Sequence, residues 1–244
     1  MANCHLRLLF VVTICIVMPA VALAQQPVKL YTGNLGGGIA ITGGNTDTKN
    51  FNLTASLVRA EMRNVIKGSL AYLRGDQNDV LNLDKTSFNF RDEYTISGRT
   101  FVFGQLDYLR DQFKQIIFLW VPTAGVGYKL VNTDATQLTI DSAVGGLLEK
   151  NPGLETSKSG SFVPGQRFQQ KISSTAAFTQ SLSTIFKTKD FADSLTNFSL
   201  GVTTALAGKL ELKLEFIDSY KNKPTNALLK KNDTAFVTAF VVKF

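Results

Sequence analysis

The chain has 244 residues, of which 44% are apolar, 10% aromatic and 18% charged, and its formal net charge is +7. That balance excludes a disordered polymer, which would carry fewer aromatics and more charge, and it fits one domain of ordinary size. Outside the N-terminus no apolar run approaches the ~18–20 residues that a membrane-spanning helix needs; the longest, Ile116 to Val121, stops at Pro122.

Residues 1–24 read as a secretory signal peptide. Arg7 precedes an apolar stretch from Leu8 to Val21, and Ala22-Leu23-Ala24 supplies a small-x-small cleavage pattern. Cleavage is expected between Ala24 and Gln25. Cys15 lacks the small residue expected before a lipidated cysteine, which sets a lipoprotein anchor aside. The signal holds Cys4, Cys15 and His5, which are both cysteines and the only histidine of the chain. The expected mature chain therefore has 220 residues (244 less 24), a net charge of +6 once Arg7 is gone, and neither Cys nor His. Ser-His and Cys-His nucleophile pairs are then excluded, as are zinc sites with His or Cys ligands. No paired carboxylates, Ca²⁺ loop or phosphate-binding glycine loop stands out. No catalytic, cofactor-binding or metal-binding residue is expected, and the chain reads as a non-enzyme.

From residue 25 to residue 244 one pattern repeats. Side chains alternate faces along a strand, so a strand between two environments shows a period of two. In 209–216, Leu210, Leu212, Leu214 and Phe216 share one face, while Lys209, Glu211, Lys213 and Glu215 share the other. A helix would scatter these leucines around its axis. About twelve such segments follow in chain order: 33–42, 49–60, 65–75, 84–97, 100–111, 116–130, 136–149, 167–180, 183–190, 195–206, 209–220 and 233–244. Alternation is weakest in 100–111 and 167–190, which leaves ten strands open. Gly36-Gly37-Gly38 reads as a place of close backbone approach rather than a phosphate cradle. After the first link, short connections (61–64, 98–99, 132–135, 181–182, 207–208) alternate with longer ones (76–83, 112–115, 150–166, 191–194, 221–232). Asn45 and Asp47 could hold a cation through oxygen ligands, but an Asx-capped hairpin turn is the simpler reading.

Alternation alone does not separate a soluble sandwich, apolar inside, from a membrane barrel, apolar outside. Three observations favour the barrel. The last strand carries Phe240, Val242 and Phe244 on one face, a terminal aromatic pattern of the kind read by the outer-membrane barrel assembly machinery. The mature chain has no cysteine. Its length suits twelve strands of ~9–11 residues with turns. Tyr31, Tyr72, Tyr94, Tyr108, Trp120, Tyr128 and Tyr220 near strand ends would form interfacial girdles. The expected fold is thus all-β: an antiparallel up-and-down transmembrane β-barrel of about twelve strands, forming one domain over 25–244.

The segment Gly43-Gly44-Asn45-Thr46-Asp47-Thr48 follows a glycine-rich strand. Pro122-Thr123-Ala124-Gly125-Val126-Gly127-Tyr128 lies near mid-chain, and Phe244 closes the sequence. In these features the chain resembles the bacterial salt-induced outer-membrane proteins, a domain-of-unknown-function family. The resemblance implies a β-barrel in the bacterial outer membrane. It implies no reaction and no cofactor.

On the polar face, Lys67, Arg91, Glu93, Asp141, Lys171, Glu211, Lys213 and Glu215 would line the lumen. They would either neutralise one another in a filled interior or edge a narrow selective path. The expected function is non-enzymatic: a narrow diffusion channel or an envelope-maintenance barrel, linked through the resemblance to salt or osmotic stress. The alternatives are a soluble secreted β-sandwich binding module and an outer-membrane lipid-modifying enzyme. Expected partners are outer-membrane lipids, lipopolysaccharide through Lys221, Lys223, Lys230 and Lys231, and the assembly machinery. Nucleic acid is not expected for an exported chain.

Overall fold

A computed structural model describes residues 30–43, 48–77, 80–226 and 228–244. The predicted signal, its cleavage point at Ala24 and Gln25, and the pair Asn45 and Asp47 lie outside the described residues. The described residues form twelve strands: β1 (Tyr31–Gly43), β2 (Thr48–Glu61), β3 (Asn64–Gln77), β4 (Val80–Thr95), β5 (Thr100–Asp111), β6 (Ile116–Asn132), β7 (Thr136–Lys150), β8 (Ser157–Lys171), β9 (Ala176–Lys187), β10 (Asp190–Ala207), β11 (Leu210–Lys221) and β12 (Asn232–Lys243). Each strand pairs antiparallel with the next in sequence, and β1 pairs with β12 to close the barrel. Closure leaves no open sheet edge.

The alternation resolves with the polar face inward. On β12, Val237, Ala239 and Val241 are buried, whereas Phe240, Val242 and Phe244 are about half exposed on the outside. On β11, Glu211 is buried inside and Leu214 and Phe216 point out. The aromatic residues fall into two groups on the outer wall. Tyr31, Tyr94 and Tyr128 lie toward the end that carries the chain termini, and Tyr108, Trp120 and Tyr220 lie toward the far end. Along β6, Tyr128 and Trp120 are eight residues apart, a rise of ~26 Å at ~3.3 Å per residue and ~20 Å along the axis after a ~40° tilt. That spacing suits a lipid-facing band ~25 Å tall.

Seam closure depends on missing side chains. Gly38 stands opposite Ala239, and a Cβ on Gly38 would lie 1.8 Å from the Thr238 carbonyl oxygen. A Cβ on Gly33 would strike the Phe244 ring, which packs over the glycine while the two backbones exchange hydrogen bonds of 3.2 and 3.1 Å. The close approach expected at the glycine run is therefore real.

The stretch 150–190 differs from expectation. Ser157–Lys171 is strand β8, not a long connection, and the chain turns at 172–175, inside the segment expected as one strand. Gly160, Pro164 and Gly165 disguise β8 as a loop. Pro164 has no N–H to give, and the β8–β9 ladder skips it, running from Phe162↔Phe186 to Gly165↔Ser183. Pro122 interrupts the β6–β7 ladder in the same way. The true turn carries no glycine or proline; Ser173 Oγ closes it by accepting from the Thr175 and Ala176 amides. The expected link 181–182 lies inside β9, and most of 76–83 is strand. The loop asymmetry shrinks accordingly: among the described residues, the links 151–156 and 222–231 exceed the turns at the terminal end in length, and 112–115 and 188–189 do not.

Candidate functional site

The barrel interior brings most of the expected polar residues together, and its two halves differ. On the β5–β10 side it is packed. Leu119, Val121, Leu147, Val163, Ile185 and Leu195 form one apolar cluster with Phe101 and Phe103. A cavity of about 650 Å³ runs beside this core, against β1–β4 and β9–β12. It extends from Lys85 and Asp111 toward the far rim to Gln169 and Lys243 toward the terminal rim. A smaller cavity of about 230 Å³ continues past Asn34, Ser56 and Lys243 to Phe244.

Four of the eight expected lumen residues come together across the interior, from β3 and β4 to β7, centred on Arg91. Its Nε donates to Glu93 Oε1 at 2.7 Å, and its two terminal nitrogens donate to Gln105 Oε1 at 2.6 Å and Asp141 Oδ2 at 2.8 Å. Lys67 Nζ lies 2.8 Å from Glu93 Oε2, and Arg167 shares Asp141. The guanidinium carbon sits 3.4 Å from the centre of the Phe103 ring and 5.8 Å from that of Phe101, where a planar cation gains from the ring face. Phe101 has room because Gly127 stands opposite it across the β5–β6 ladder, and Gly125, opposite Phe103, allows the close approach of β7, where a Cβ would lie 2.3 Å from the Ser142 carbonyl oxygen. A Cβ on Gly127 would lie 2.1 Å from the Phe101 ring. This is the local reason for the Gly-x-Gly in the Pro122–Tyr128 motif.

Glu211, Lys213 and Glu215 lie on the cavity wall instead. Lys213 Nζ pairs with Glu215 Oε2 at 2.7 Å, and Lys243 pairs with Glu211. Lys171, the last residue of β8, is exposed at the terminal rim and joins neither group.

Three groups escaped the sequence reading. Asp107, on the cavity wall, accepts from Asn89 Nδ2 at 2.7 Å and Gln105 Nε2 at 2.6 Å. At the far rim, Glu149, 1% exposed, meets Lys187 at 2.5 Å and Lys221 at 3.6 Å, and Asp193 meets the same two lysines at 2.5 and 2.8 Å. Lys221, expected as an outward contact, is thus built into the wall. The third group is a strap. Lys114, in the β5–β6 link, donates to the Ser219 carbonyl at 3.1 Å and pairs with Asp233 Oδ2 at 2.7 Å. Strands β11 and β12 stand opposite β5 and β6 in the ring, so Lys114 crosses the far mouth. Asp111 Oδ1 holds the link by accepting from the Phe113 and Lys114 amides at 3.2 and 3.1 Å, and Asn151 Nδ2 donates to the Gln115 carbonyl at 2.8 Å. The parity of residues 101–111 was the available signal for Asp107. Nothing local announced the strap.

Comparison with known proteins agrees with this architecture. The NanC porin superposes with a TM-score of 0.57 at 9% identity, over 86% of this chain and 98% of that one. An outer membrane channel from Pseudomonas putida F1 gives 0.53 at 10% identity, over 93% and 100%. The translocator domain of the autotransporter NalP from Neisseria meningitidis gives 0.53 at 10% identity, over 89% and 90%. At such identities the likeness establishes the fold, which is that of outer-membrane barrels. No curated protein matches the sequence. The model of the family described as "Protein of unknown function, DUF481" matches residues 36–244, and the chain belongs to that family.

Proposed function

We propose that the barrel sits in the bacterial outer membrane and conducts small hydrated solutes through an off-centre lumen, without catalysing a reaction. The observation that carries this reading is the interior cavity, whose wall includes residues near both rims and many hydroxyl, amide and charged side chains. A water-filled path needs such a wall, and its narrowness sets a size limit. The apolar outer band supports a lipid surround. Export by cleavage after Ala24, recognition of Phe240, Val242 and Phe244 by the assembly machinery, and lipopolysaccharide contact through far-rim lysines belong to the same proposal. The link to osmotic stress rests on the family resemblance.

The decisive measurement is conductance of the detergent-extracted mature protein in a planar bilayer, against a heat-denatured control. Discrete steps absent from the control are expected. One observation favours a second reading, a closed structural barrel: the Lys114 strap lies across the far mouth, 3% exposed at its side chain. A silent bilayer holding verified folded protein would decide for that reading.

A further inference from the structure

The net charge of +6 expected of the mature chain points to a lumen that prefers anions. The placement of the charges points the other way. Resting on the channel reading, we infer that Asp107 makes the path cation-preferring and is its principal selectivity residue.

The basic excess belongs to a separate cluster. Lys67, Arg91 and Arg167 are tied to Glu93 and Asp141 where β3 and β4 face β7 and β8, with Lys67 and Arg167 partly exposed, and none of these five lines the cavity. The charges that do line it are matched. Lys85 lies 3.5 Å from Asp111, Lys213 lies 2.7 Å from Glu215, Lys243 pairs with Glu211, and Asp233 is met by Lys114 at 2.7 Å. Asp107 is the remaining charge on that wall. Among the described residues no ion pair involves it.

Its setting suits a carboxylate that acts on a passing ion. Both oxygens accept hydrogen bonds, Oδ1 from Asn89 and Oδ2 from Gln105. A carboxylate that only accepts is the form these two amide donors complement. Gln105 is itself oriented by Arg91, which donates to its carbonyl oxygen at 2.6 Å. The excess cation of that cluster thus acts as a clamp, one residue removed from the path. Asp107 stands directly opposite Val121 in the β5–β6 ladder and two residues from Leu109. Those two neighbours carry no charge, and the cations that act on Asp107, Arg91 and Arg167, stand behind it and outside the cavity wall, so the carboxylate is the charge that the path meets first.

The test is the reversal potential in a planar bilayer with a KCl gradient at low salt, where charges are least screened. Wild type is expected to favour K⁺ over Cl⁻ by roughly threefold, Asp107→Asn to lose that preference, and Asp107→Glu to keep it. Asp134→Asn, in the exposed β6–β7 turn, serves as a control that leaves it unchanged. A second arm does not depend on the amide variant folding. The expected mature chain has no cysteine, so Asp107→Cys gives a single thiol. An anionic thiosulfonate reagent should restore the cation preference, and a cationic one should reverse it. Current without preference, current favouring Cl⁻, or an Asp107→Asn variant with unchanged selectivity would overturn the inference while the channel reading stands. A silent membrane would overturn both.

Discussion

At the scale of single residues, the least conspicuous side chains decide where the charges go. Gly127 and Gly125 are cross-strand partners of Phe101 and Phe103; the Phe101 ring fills the space over Gly127, Ser142 and Ala143 close over Gly125, and both rings lie against the Arg91 guanidinium. The motif Pro122–Tyr128 was visible in the sequence, but its purpose was not. The purpose lies in a pairing between two strands, and the partner segment 100–111 had the poorest alternation because Phe101, Phe103 and Leu109 share a face with Gln105 and Asp107. Four of the eight expected lumen residues form the Arg91 cluster and three stand on the cavity wall. Gly127→Ala places a Cβ 2.1 Å from the buried Phe101 ring, and overpacking of this kind costs about 1–3 kcal/mol. Gly68→Ala meets nothing within 4 Å and should be neutral. The measurement is the urea midpoint of vesicle-embedded protein, read by fluorescence of Trp120, the single tryptophan. Equal midpoints for the two variants would remove the glycine–ring account.

At the scale of elements, the strands were legible where residue type follows environment and were lost where backbone chemistry intrudes. β11 and β12 could be read residue by residue. β8 could not, because Pro164 and two glycines imitate a loop, while the real turn at 172–175 is built from serine and threonine. The strap was invisible for a different reason. Lys114 reaches Ser219 and Asp233, more than a hundred residues away in sequence, and no local pattern reports such a contact. Its consequence is testable at this scale. Lys114→Ala removes that ion pair and the Ser219 hydrogen bond, a local loss of about 1.5–3 kcal/mol. The barrel ladders do not pass through the link, so the loss should fall on the mouth. Single-channel conductance should rise, and protease should nick 112–115 faster, with the overall urea midpoint little changed. A conductance equal to wild type would show that the strap does not narrow the path.

At the scale of the whole molecule, period-two alternation states that each strand divides two environments but not which of them is water. The structure supplies the missing sign, because the packed core and the charged groups share the interior and Leu, Val and Phe side chains cover the outside. An aqueous protein of this size exposes scattered apolar residues, but not a continuous belt bounded by aromatics at both edges. Val144 tests the solvent of that belt. It is 64% exposed and pairs with Ala124, midway along β6 between Trp120 and Tyr128. If lipid surrounds it, Val144→Arg buries a cation at the bilayer midplane, at a cost of about 2–4 kcal/mol. If water surrounds it, the same change is nearly free, because an exposed surface substitution away from packing costs within ±0.5 kcal/mol. Leu154→Arg, in the exposed β7–β8 link, should be near neutral in either solvent. Folding free energies of both variants in vesicles therefore read the environment directly. A large loss confined to Val144→Arg fixes the apolar face in lipid, whereas two small and equal losses would return the chain to water and remove the membrane from its function.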